Sequence, residues 1–153
     1  IGVTLLHVEG RGHVHAKSAD PKAAPGIWHN MLSTEIDRQT AVRGMWMARR
    51  MMEADAVRPY VAFEKTPGPE ADDDDAFLEY ARRYGASNWH PAGTCKMGTD
   101  PMAVVDDRLR VHGICGLRIV DASIMPRLVS GNTNAPVIMI AEKAADMIKE
   151  DAR

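Results

Sequence analysis

Residues 116–150 read as one linked unit, and it limits the fold more than any other part of the chain. GLRIVDAS, 116–123, is an apolar run suited to a buried strand covered on both faces. After the loop SGNTNAP, 130–136, the apolar residues Ile140, Ala144 and Ile148 repeat every four positions through APVIMIAEKAADMIKED, which predicts a helix. Asn134 as its cap and Pro136 as its first residue fit the start. Strand, loop and helix in this order normally close an α/β sheet.

Upstream the pattern changes. Residues 1–18, IGVTLLHVEGRGHVHAKS, suggest two strands of a hairpin broken at Gly10-Arg11-Gly12. SADPKAAPG, 18–26, is a loop by its two prolines and its Asp-Pro turn starter. From Thr34 to Asp55, Ala41, Met45, Ala48 and Met52 fall on one helical face, with Thr34 as N-cap and Glu35 and Asp37 in the first turn. PYVAFEK, 59–65, suits a short strand, and DAFLEYARRYG a second helix ended by Gly85.

Several function classes are excluded early. Nineteen basic and twenty-one acidic residues give a net charge of -2, with no basic block to serve as a nucleic-acid footprint. The longest apolar run, Ala135 to Ala141, is far short of the roughly 20 residues that span a bilayer. Cys95 and Cys115 lack CxxC spacing, so neither a disulfide framework nor a thiolate zinc site is suggested, and a reducing, cytoplasmic setting is the default.

Two segments can carry chemistry. In NWHPAGTCKMG, 88–98, Pro91 pushes His90 toward an extended backbone and Gly93 permits a sharp turn. A fixed imidazole is a general base near neutral pH, although its bland reading is a partly buried histidine bonded to backbone. In SGNTNAP, Asn132 and Asn134 offer amides beside the free N–H groups of a helix start, a natural anion stabiliser, or else an ordinary capped helix.

HPAGTCKMG, VVDDRLRVHGICGLRIVDASIMP and SGNTNAPVIMIAEKAADMI, in that order, resemble the C-terminal part of the glucose-methanol-choline (GMC) flavin oxidoreductases, in the choline and alcohol dehydrogenase branch. RGHVHAKSADPKAAPGIWHNML and FEKTPGP resemble further family segments, so nearly the whole chain is covered. The resemblance implies an α+β fold: an antiparallel-sheet substrate-binding domain with helices over 1–99, and a segment over 100–153 that returns to complete an FAD-binding α/β domain. It implies His90 as catalytic base with Asn132 as its partner. It further implies contacts to FAD from Asp121, Ala122, Thr133 and Asn134. The reaction so implied takes an alcohol to an aldehyde, by proton abstraction and hydride transfer to flavin N5.

The dinucleotide fingerprint G-x-G-x-x-G is not completed at Gly10-Arg11-Gly12, because position 15 is His15 and no helix follows. The chain is therefore expected to lack the N-terminal FAD-binding portion, to bind FAD weakly or not at all alone, and to leave Leu117, Ile119, Ile140 and Ile148 exposed. Its partners are a small alcohol and that missing portion. The sequence leaves open which alcohol is used, whether oxygen, a quinone or a carrier protein is the acceptor, and whether a full-length relative touches a membrane. Two other classes compete: a hydroxynitrile lyase on the same fold, and a binding module without catalysis.

Blander explanations cover the remaining features. His7, His13 and His15 lack a carboxylate or cysteine at ligand spacing, so no metal site is expected. Asp72 to Asp75 read as a solvated helix start, the clustered methionines as gap-filling residues, and Trp89 as part of a substrate wall beside His90.

Overall fold

The computed structural model describes residues 1–152. The chain forms two compact units, Ile1–Asn88 and a second beginning at Trp89. The architecture is mixed: three α-helices and, among the described residues, one two-stranded antiparallel sheet.

In the first unit, β1 (His13–His15) pairs with β2 (Gly26–Trp28), His13 opposite Trp28 and His15 opposite Gly26. The expected hairpin within residues 1–18 does not form, since the partner of β1 lies beyond the SADPKAAPG loop. The glycines at 10 and 12 explain why. A Cβ on Gly12 would stand 1.9 Å from the Trp28 carbonyl oxygen, and one on Gly10 would stand 2.9 Å from Ser33 Oγ and 3.0 Å from Asp37 Oδ2. They permit close approach of backbone to neighbours rather than a reversal of the chain.

Helix α1 (Glu35–Glu53) begins where Thr34 Oγ1 accepts the Asp37 N–H. Helix α2 (Asp74–Tyr84) begins where Asp73 accepts the Ala76 N–H at 2.7 Å, and it ends at Gly85. Both starts satisfy a free helix donor. Residues 59–65 are not a strand: Arg58–Tyr60 form a 3-10 turn around Pro59, which has no N–H to give a sheet ladder. Phe77 is 1% exposed and packs with Val42 and Ala71, its ring edge-on to Trp46 at 4.6 Å between centroids. The Arg49 guanidinium lies over both rings, grips Glu64 through two bonds of 2.9 and 2.8 Å, and donates to the Ala71 and Gly68 carbonyls. Glu64, on the FEKTPGP loop, is held below its usual carboxylate pKa by that Arg49 bond.

The second unit is built of loops joined by single bridges, Met97 with Val105, Val105 with Val111, and Arg110 with Arg118, and covered by α3 (Asn134–Asp151). The predicted buried strand at 116–123 is not one here. Val111 N donates to the Leu117 carbonyl and Ile119 N to that of Leu109, and Ala122–Ile124 then coil into a 3-10 turn capped by Asp121. A strand needs hydrogen-bonding neighbours along its length, and here residues 109–111 come alongside 117–119 while Gly93 and Cys95 reach only the end of the run, at Ala122 and Ser123. The core comprises Val105, Leu109, Ile124 and Met125 beneath Ile140 and Ala144. Ile140 is thus buried and Ile119 half-buried, contrary to expectation, whereas Leu117 and Ile148 are exposed. The far end of α3 is tied down by Arg108 on Glu150 and Asp151, and by Arg118 on Asp151.

Candidate functional site

The histidine loop is laid against the 3-10 turn by three backbone bonds: Gly93 N to the Ala122 carbonyl at 3.3 Å, Cys95 N to that of Ser123 at 2.9 Å, and Met97 N to that of Ile124 at 2.8 Å. Gly93 has φ +86°, and a Cβ there would lie 3.1 Å from the Met125 carbonyl oxygen, so this position suits glycine alone. Ile124 and Met125, both buried, fix the turn to the core. The chain entering at Trp89 also has positive φ, +61°, and presents an indole that is 88% exposed. The loop that carries His90 is thereby anchored to a buried turn.

From the other side come residues of the loop before α3. His90 Nδ1 lies 2.9 Å from Thr133 Oγ1, and Nε2 lies 3.0 Å from Asn132 Oδ1. Thr133 is buried at 8% exposure and Asn132 is exposed, so the Nδ1 edge faces inward and the Nε2 edge outward. An amide oxygen only accepts, so Oδ1 facing the ring pairs with an Nε2 that carries hydrogen, as in the imidazolium; turned over, the same amide presents its NH2 to a bare Nε2. The Thr133 hydroxyl can accept from Nδ1 in the imidazolium and in the neutral tautomer with hydrogen on Nδ1, the one that leaves Nε2 free to take a proton.

Helix α3 starts later in role and earlier in sequence than expected: Asn134 is its first residue, Thr133 its cap position, and Pro136 lies in the first turn, where a missing N–H costs nothing. The Thr133 side chain makes no capping bond. The helix start therefore keeps donors that its own cap residue does not fill, and Asn134 is exposed beside them. This arrangement fits the electron-rich edge of a ring such as a flavin. Asp121 uses one carboxylate oxygen to accept the Ser123 N–H at 2.7 Å, and the Ala122 carbonyl receives the Gly93 N–H.

Of the six residues singled out from the sequence, His90, Asn132 and Thr133 meet directly, Asp121 and Ala122 lie in the turn that carries the histidine loop, and Asn134 opens the adjoining helix. The bond from Thr133 to the histidine is the feature the sequence did not reveal. Its one local sign is a threonine at a cap position, which says nothing of where the hydroxyl points.

Comparison with known proteins finds clear relatives of this chain. The GMC oxidoreductase family model, for the C-terminal domain, matches residues 8–141. An oxygen-dependent choline dehydrogenase from Pseudomonas syringae pv. tomato is 47% identical over 147 residues, and one from Escherichia coli O6:K15:H31 is 49% identical over the same length. Each alignment covers 96% of this chain and 26% of the relative, so the chain spans about a quarter of the length of these relatives. Among solved structures, pyridoxine 4-oxidase from Mesorbium loti superposes with a TM-score of 0.89 at 32% identity, over 95% of this chain and 28% of that one. An FAD-dependent oxidoreductase from Chaetomium thermophilum gives 0.90 at 30% identity, over 97% and 26%. With its histidine loop, its SGNTNAP turn and nearly its whole length accounted for by that family's C-terminal domain, the chain belongs to the GMC oxidoreductases.

Proposed function

We propose that the chain is the C-terminal part of an FAD-dependent enzyme that oxidises an alcohol, choline or another primary alcohol, to the aldehyde. The observation that supports this most is the outward-facing Nε2 of His90, with the amide of Asn132 at its side and the Thr133 hydroxyl behind the ring. The names of the relatives favour choline as substrate and oxygen as final acceptor. Residues 1–99 would help form the substrate-binding domain, and residues 100–153 would return to the FAD-binding domain.

His90 takes the hydroxyl proton at Nε2, and the Asn132 amide hydrogen-bonds the same oxygen and orients the carbon that bears it. Bound FAD supplies the capacity to accept the hydride that leaves this carbon. Asn134 and the free N–H groups at the start of α3 stabilise negative charge gathering near them, while Thr133, Asp121 and Ala122 shape the wall against the cofactor. In the full-length protein, His90→Ala should lower the rate of flavin reduction by choline by roughly 10²- to 10⁴-fold. A variant as fast as the parent would exclude His90 as the base and leave a binding role for this domain.

A further inference from the structure

The Thr133 hydroxyl sits where a helix cap normally turns its oxygen toward its own helix, yet it makes no such bond and lies 2.9 Å from His90 Nδ1 instead. It is the inward partner of the ring, at a residue only 8% exposed. A hydroxyl oxygen so placed can accept the hydrogen of a ring N–H. By accepting from Nδ1 it favours the neutral tautomer whose Nε2 is bare and able to take a proton, and it serves the imidazolium in the same way, with no heavy atom moving.

We infer that Thr133 is the positioning residue of His90, serving the ring on its buried side both before and after Nε2 takes a proton. This rests on the reading of His90 as the catalytic base. Proton uptake at Nε2 leaves hydrogen on both nitrogens. The Nε2 hydrogen then points to Asn132 Oδ1 and the Nδ1 hydrogen to Thr133 Oγ1, so the atoms as placed satisfy the protonated ring completely. Without the hydroxyl, the charged ring would keep an inward N–H with no acceptor, and an unpaired buried donor is costly. The Thr133 hydroxyl thus acts on the reaction through the histidine, in addition to the residue's place in the wall against the cofactor.

The test uses the full-length flavoprotein in four forms: parent, His90→Ala, Thr133→Val and Thr133→Ser, with bound flavin, kcat and KM for choline measured for each. Thr133→Val preserves the shape and removes the hydroxyl. It should retain flavin, lower kcat roughly ten- to a hundredfold and leave KM nearly unchanged, as losses of an orienting partner do. Thr133→Ser should recover most of the parent kcat. If the valine form is recovered unfolded, Thr133→Ala carries the same expectation. A hydroxyl-free variant with parent kcat, a serine variant no better than valine, or a fall in rate that merely follows lost flavin would overturn the inference. Parent-like turnover by His90→Ala would instead overturn the reading of His90 as base, so the two failures are told apart.

Discussion

Asp37 joins the N-terminal segment to α1, and replacing it tests whether that join rests on a carboxylate. The side chain is 3% exposed, with Oδ1 accepting the Glu9 N–H at 2.9 Å and Oδ2 the Gly10 N–H at 2.7 Å. Hydrogen bonds to a charged acceptor contribute about 1.5–3 kcal/mol each. Because Glu9 is itself exposed and water can reach its N–H, the lower end applies, and losing both bonds in Asp37→Ala should cost about 3 kcal/mol. Asp37→Asn should cost nearly as much, since an amide has one acceptor oxygen and would turn its NH2 toward the second N–H. Urea unfolding, followed through the fluorescence of Trp46 in the same unit, measures both variants. Burial pushes the Asp37 carboxyl upward, but the Glu9 and Gly10 amides and Thr34 outweigh it and hold the group below its ordinary value of 3.8. A depressed folded-state pKa means that the stabilisation is complete above that ordinary value and fades as pH falls through the folded one. The parent's margin over Asp37→Asn should therefore shrink under strong acid. An asparagine variant with the parent's midpoint at neutral pH would refute the reasoning.

Two other substitutions probe the frame around the site. Gly93→Ala places a side chain at φ +86° against the Met125 carbonyl oxygen, which should cost about 1–3 kcal/mol and loosen the loop that carries His90; lost hydrogen-exchange protection at the Gly93, Cys95 and Met97 amides is the readout. Phe77→Ala empties the centre of the first unit and strips Arg49 and Trp46 of a ring partner, at a cost of about 3–5 kcal/mol in denaturant unfolding.

What could be read beforehand was what local chemistry decides. Thr34 marks a helix start because its side chain takes up a free N–H on the spot, Gly85 ends the second helix where a Cβ would run into the Ala81 carbonyl oxygen, and α1 and α2 lie within two residues of expectation. The apolar run at 116–123 looked like a strand because its composition suits one, but a strand exists only with partners, and composition does not supply them. Likewise β1 found its partner across a loop because Gly12 lets the backbone lie against Trp28. The residues of the candidate site came from family resemblance rather than spacing. His90 stands 42 and 43 positions from Asn132 and Thr133, and no periodicity connects such distances.

The bonds from Gly93, Cys95 and Met97 to the turn at Ala122–Ile124 have a consequence for how this domain can diverge. They pin the chain on either side of residues 98–121, and beyond them the stretch from His112 to Leu117 is exposed, with open space around a Cβ at either Gly113 or Gly116. Residues inserted between Gly113 and Gly116, beyond the bonds of His112 to Val104 and Gly98, would not shift the register of the histidine loop. On this chain by itself a reporter grafted there would leave the imidazole in place, whereas in the whole protein the exposed Leu117 face is where the FAD-binding portion is proposed to lie.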